Sequence, residues 1–127
     1  MFIQIEPTSE IPIYAQLASQ LIEAIACGKL VGGDALPSVR SLAADLGMNM
    51  HTVNKAYHEL ERKEIIRIVP KSGAIVNTLT QNGIRTVHLE RISTEFKPII
   101  AEAIVLGMGA EDINELVSSI LGTIKEE

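Results

Sequence analysis

The feature that most constrains this chain is a four-residue joint, Leu46-Gly47-Met48-Asn49, with an amphipathic stretch on either side. Before the joint, Val39, Leu42, Ala43 and Leu46 recur at i, i+3, i+4 and i+7, the spacing of one helical face. Ser38 stands just ahead as an N-cap, and Gly47 ends the helix because it accepts left-handed backbone at no steric cost. After the joint, Val53, Ala56, Tyr57 and Leu60 repeat the pattern, with Asn49 as a second N-cap. Only Met48 separates the glycine stop from the asparagine start. Two short helices joined this tightly through a glycine read as a helix-turn-helix.

The flanks extend that reading. Tyr14, Leu17, Ala18, Leu21 and Ile25 follow helical spacing, so residues 11–27 form a preceding helix, with Pro12 in its first turn and Gly28 as its cap. Gly32-Gly33-Asp34 is a turn. The third helix ends near Lys63-Glu64. Ile65-Ile66-Arg67-Ile68-Val69, Pro70-Lys71-Ser72-Gly73 and Ala74-Ile75-Val76 then read as strand, turn and strand. A hairpin placed directly after a recognition helix is a wing.

Beyond Thr78 the character changes. Leu89, Ile92, Phe96, Ile99, Ile100 and Ala103 follow helical spacing, with Pro98 expected to kink or break that helix. Gly107-Met108-Gly109 interrupts the pattern. Ile113, Leu116, Val117, Ile120, Leu121 and Ile124 form the stripe of a last helix, with Glu111 and Asp112 in its first turn, where the helix dipole favours acids. The fold class is therefore mainly α with a small β-hairpin. Residues 1–78 make a winged helix-turn-helix domain and residues 79–127 a short two-helix C-terminal region.

Composition narrows the setting. The 127 residues are 46% hydrophobic and only 3% aromatic, so the core is aliphatic. No apolar run nears the roughly 20 residues that span a bilayer. The first residues lack the basic start and apolar stretch of a signal peptide. The one cysteine, Cys27, has no internal disulfide partner, which fits a cytoplasmic protein. The net charge of −5 opposes nucleic-acid binding only if taken globally. Residues 1–78 hold seven bases against eight acids, and residues 79–127 hold four against eight. The acidity is mainly C-terminal, and phosphate binding depends on local charge.

With Val53, Ala56, Tyr57 and Leu60 turned inward, the start of the third helix presents Asn49, Met50, His51, Thr52, Asn54 and Lys55. Asn54 has the geometry to read adenine with two hydrogen bonds, and Met50 suits a thymine methyl. Thr52 and Lys55 suit phosphates. Ser38 and Arg40 open the second helix, with Arg40 able to grip the backbone or reach guanine. At the wing tip Lys71, Ser72 and Gly73 suit phosphate and minor groove. Each has a plainer reading. Asn49 reads first as a cap and only then as a base reader, His51 and Lys55 taken singly read as solvated surface groups, Arg40 reads also as a partner of Asp45 or Glu59, and the wing tip equally as an ordinary turn.

The stretches Ile11-Pro12-Ile13-Tyr14, Gly28-Lys29-Leu30, Leu36-Pro37-Ser38-Val39-Arg40-Ser41-Leu42-Ala43, Leu46-Gly47-Met48-Asn49, Thr52-Val53 and Ala56-Tyr57-His58-Glu59-Leu60-Glu61 closely resemble the GntR family. The short helical C-terminus is similar to its YtrA subfamily. The resemblance implies a homodimeric repressor on a palindromic double-stranded DNA operator, often one that controls a transporter operon and its own gene. It also implies that Arg40, Met50, His51, Thr52, Asn54, Lys55 and Gly73 lie at the DNA. The chain departs from the pattern at Glu64, where a glycine is common, at Met50, and in a wing with fewer bases. These departures bear on affinity and operator sequence rather than on the fold.

Two apolar helices of under fifty residues cannot bury their own faces, so Leu89, Ile92, Phe96, Ile100, Ile113, Leu116, Val117 and Ile120 are the expected dimer interface. The other possibility is that both helices fold back on the N-terminal domain. A small-molecule effector has little room except near Phe96 or Met108 at that interface. No enzyme is expected, since there is no phosphate loop, no carboxylate pair in a cleft and no Cys–His arrangement. His51 and His58, with Glu59 nearby, make a poor metal signal without a clear third ligand, so no metal or cofactor is expected. The alternative to a DNA-binding regulator is a winged-helix module that binds protein.

Overall fold

The structure is a computed structural model that describes residues 3–78 and 83–126. The order of elements is α1 (Ile13–Ala26), β1 (Ala35–Leu36), α2 (Val39–Leu46), α3 (Met50–Arg62), β2 (Ile66–Val69), β3 (Gly73–Val76), α4 (Thr86–Val105) and α5 (Ala110–Glu126). The chain divides into two compact units, Met1–Leu79 and Thr80–Glu127.

In the first unit, three helices and a three-stranded sheet enclose one aliphatic core. Leu17 and Leu21 of α1, Leu42 of α2, and Val53, Tyr57 and Leu60 of α3 are fully buried. The apolar periodicity of each helix is thus spent on the same core, and truncating any of these leucines to alanine would cost about 2–5 kcal/mol. The lead-in before α1 is pinned by glutamines. The buried Gln16 amide donates to the Glu6 and Ile11 carbonyls and its oxygen accepts from the Glu6 amide. Gln20 accepts from the Gln4 amide one turn further on.

The helix ends follow local chemistry. The Ser38 hydroxyl accepts from the Ser41 amide at 3.1 Å, and the Asn49 side chain accepts from the His51 amide at 2.8 Å. Gly47 takes a left-handed φ of 64° and lets the Met48 amide reach back to the Ala43 carbonyl. α3 ends in the same way without a glycine. Glu64 holds φ 61°, its amide donates to the Glu61 carbonyl and the Ile65 amide donates to Leu60. The Asn77 side chain closes on the Glu64 carbonyl at 2.9 Å.

The sheet runs β1-β3-β2, antiparallel throughout. The hairpin of β2 and β3 matches the expected wing. The third strand, Ala35–Leu36, was not expected from the sequence. It pairs Leu36 with Ala74 and so ties the wing to the residues that enter α2. Gly73 makes this approach possible, because a Cβ there would lie 2.2 Å from the Leu36 carbonyl oxygen and 2.9 Å from that of Pro37.

In the second unit, α4 runs unbroken through Pro98. Of the kink or break expected at Pro98, the break does not occur. Thr94 and Pro98 are both exposed, so the carbonyl that loses its amide partner lies in an exposed turn. α4 ends at Gly107 (φ 109°), with the Met108 amide bonded to the Ala103 carbonyl. Asp112 accepts from the Gly109 amide at the start of α5. No residue of α4 is buried. Leu89, Ile92, Phe96, Leu116 and Ile120 are exposed, and Ile100, Ile113 and Val117 are half-buried. Among the described residues, no helix is long and apolar enough to cross a membrane.

Candidate nucleic-acid interface

α3 buries Val53, Ala56, Tyr57 and Leu60, and this inward set dictates what faces outward. Met50, His51 and Asn54 lie on the exposed side. With Ser38 and Arg40 from the start of α2, and Lys71 and Gly73 from the wing, they line an open concavity of about 650 Å³. Its apolar lining comes from Val39, Ile68, Val69 and Pro70. A second, smaller concavity of about 390 Å³ lies on the other side of His51, bounded by Ile13, Tyr14, Asn49, Thr52 and Lys55.

Neither concavity is lined by an acid. This resolves the charge balance of the unit, which is slightly acidic as a whole. Arg40, Lys55 and Lys71 all sit on the α3 face. Arg62 and Lys63, at the far end of α3, are engaged with Glu59 instead, Lys63 at 3.7 Å. The Arg62 hydrogen bond, supported by the charge of Lys63, holds the Glu59 carboxyl below its ordinary range. Glu59 therefore pairs away from Arg40, whose side chain is exposed.

Several expected site residues have a structural duty that the geometry makes explicit. Ser38 and Asn49 cap α2 and α3 through their side-chain oxygens. Thr52 is half-buried, and Ser72 is exposed at the wing turn. Gly73 is buried, and the close backbone approach it allows is to Leu36 and Pro37. Lys71 occupies the third position of the turn that closes through Ser72 N–H to the Val69 carbonyl at 3.0 Å. Its φ of 68° is one that turns of this kind normally assign to glycine or asparagine. A lysine held there carries a cost on the order of 1 kcal/mol, and its charge lies at the wing tip.

One residue at this face escaped the sequence reading. The sequence places Tyr14 in the apolar stripe of α1 and in a stretch that resembles the family, without a role at the DNA face. It is half-buried, and the Lys55 ammonium sits 4.1 Å from its ring centroid. Its position one helical turn ahead of the buried Leu17 and Ala18, with a polar tip on an apolar body, was the available signal. No three His, Cys, Asp or Glu side chains come together as a metal site among the described residues.

Residues 13–76 match the model of the bacterial regulatory proteins of the gntR family. The chain is 35% identical to the HTH-type transcriptional repressor YtrA of Bacillus subtilis (strain 168), over 97% of this chain and 95% of that one. Among solved structures it is similar to a transcriptional antiterminator from Listeria monocytogenes EGD-e, with a TM-score of 0.89, 31% identity and coverage of 98% and 93% of the two chains. It is also similar to the DNA-binding domain of AraR in complex with operator ORX1, with a TM-score of 0.51, 28% identity and coverage of 57% and 90%. The winged helix-turn-helix agrees with the family model and the Listeria structure also covers the C-terminal helices, and the chain belongs to the GntR family of DNA-binding bacterial transcriptional regulators.

Proposed function

We propose that this chain is a repressor that binds a palindromic operator as a homodimer and acts in the cytoplasm. The N-terminal winged domain carries the DNA contacts, and residues 79–127 carry dimerisation. The observation that bears most weight is the acid-free concavity that joins Arg40, Met50, His51 and Asn54 to the wing lysine, Lys71. In this reading α3 enters the major groove, where Asn54 and Met50 meet base edges and Arg40 meets backbone or guanine. Lys71 and Ser72 follow the strand toward the minor groove, while Thr52 and Lys55 take phosphates on the other flank. Gly73 contributes by letting the wing lie against the entry to α2.

The dimer rests on the second unit. Twenty residues of α4 form a helix with none of them buried, whereas most helical stability in proteins comes from packing an apolar face against a partner. Ile99 and Val105 are its most exposed apolar side chains. A second copy would cover Leu89, Ile92, Phe96, Ile100, Ile113, Leu116, Val117 and Ile120 and would set two recognition helices at the spacing of two half-sites. A small-molecule effector would bind at the groove of about 230 Å³ formed by Ile92, Glu95, Phe96 and Ile99. Control of a transporter operon and of its own gene belongs to this reading and is supported by the resemblance to the family, whose members often have such targets.

The test is footprinting on the DNA upstream of its own gene, with sedimentation of the free protein alongside. Two protected half-sites about one or more helical turns apart and a dimeric mass are expected. A monomer with no protected DNA at low salt would favour the protein-binding alternative.

A further inference from the structure

We propose that Tyr14 is a positioning residue of the DNA interface: its ring holds the Lys55 ammonium so that the charge is already in place for a phosphate beside the recognition helix. The inference rests on the reading of the α3 face as the DNA surface, and adds to it a residue from a different helix. The lysine side chain is long and rotamer-rich, so a free lysine loses much of its freedom on meeting a phosphate. At 4.1 Å from the ring centroid, Lys55 lies well inside the range where the aromatic face attracts a cation. The ring is itself fixed, since Tyr14 is half-buried in the first turn of α1, one turn before the fully buried Leu17.

The surroundings point outward to an anion. No acid lines the concavity that Tyr14 and Lys55 share, and its other polar walls are Asn49, His51 and Thr52. A tyrosine face leaves the ammonium N–H groups available, whereas a carboxylate would hold them and repel phosphate. Ordering the charge beforehand lowers the cost of binding without adding a contact. Lys55 is thus ordered on the phosphate flank, while Asn54 beside it lines the concavity facing the wing.

The experiment uses the full chain and a duplex spanning the region upstream of its own gene. Wild type, Tyr14→Phe, Tyr14→Leu, Lys55→Gln and the Tyr14→Leu/Lys55→Gln double variant are titrated at several salt concentrations, with thermal melts as fold controls. Lys55→Gln is expected to weaken binding and to lower the salt slope by about 1. Tyr14→Leu should weaken binding roughly 3-fold, Tyr14→Phe should match wild type, and Tyr14→Leu should have no further effect once Lys55 is gone. Tyr14→Leu losses that simply add to those of Lys55→Gln, or Tyr14→Leu binding like wild type, would overturn the inference while leaving the interface intact. If Lys55→Gln changes neither affinity nor slope, the phosphate role of Lys55 fails, and the inference with it. Without DNA, the Lys55 side-chain methylene resonances should show ring-current shifts that survive Tyr14→Phe and vanish in Tyr14→Leu. Unshifted resonances in the wild type would overturn the pairing whether or not the leucine variant folds.

Discussion

The Tyr57 hydroxyl donates a 2.7 Å hydrogen bond to the carbonyl of Pro37, twenty residues earlier in the chain. That carbonyl lies just before the cap of α2, and it is also one of the groups that would collide with a side chain at position 73. Recognition helix, second helix and wing therefore meet at one peptide group.

Tyr57→Phe should lower stability by about 1–2 kcal/mol, because it leaves the Pro37 carbonyl without its partner. Burial raises the Tyr57 pKa from 10.0 to about 12. The unfolded chain releases this proton near pH 10, and the folded chain retains it to about 12. Stability from this group is thus complete below pH 10 and falls as pH rises from 10 to 12, by about 2–3 kcal/mol at about 1.4 kcal/mol per pH unit. Denaturant melts of wild type and Tyr57→Phe across pH 8–12 check this. The stability advantage of wild type should shrink above pH 10, and a constant gap would contradict it.

Glu64 and Lys71 both hold left-handed backbone where glycine is the natural choice, and they should respond differently. Glu64→Gly should relieve up to about 1 kcal/mol of backbone strain and change DNA affinity less than the corresponding change at Lys71. Lys71→Gly should bring a similar relief of strain together with several-fold weaker DNA binding. Melting curves and fluorescence anisotropy on the two variants separate strain that serves binding from strain that does not.

Leu116→Asp should convert the dimer to a monomer, because the exposed α5 stripe would then carry a charge into the proposed interface. Sedimentation velocity reads the mass directly, and operator affinity should fall with loss of the paired half-site. A dimer that persists in this variant would move the interface to another surface.

The helix-turn-helix was legible because its punctuation is local. Ser38, Gly47 and Asn49 act within a turn of their own positions, and the apolar spacing of Leu42, Val53 and Leu60 needs only the helical period. β1 was not legible, because two residues carry no alternation and Ala35–Leu36 is a strand only through pairing with β3, nearly forty residues later. The sequence places Gly73 at the wing tip beside DNA, but it could not show that the group this glycine approaches is the backbone at Leu36 and Pro37. Tyr14 looked like one more core position until α1 packed on α3 and brought its ring under Lys55. Pro98 was weighed by its effect on an isolated helix, whereas α4 continues through it. The outward face of α3 was readable by subtraction, once the inward face was known.

The most direct measurement is the affinity of Arg40→Ala for the upstream DNA across a salt series, with its mass measured alongside. The variant should remain dimeric, bind at least about tenfold more weakly, and show a salt slope smaller by about 1. Binding with the wild-type affinity and slope would mean that the face of Arg40, Met50, Asn54 and Lys71 does not meet the duplex.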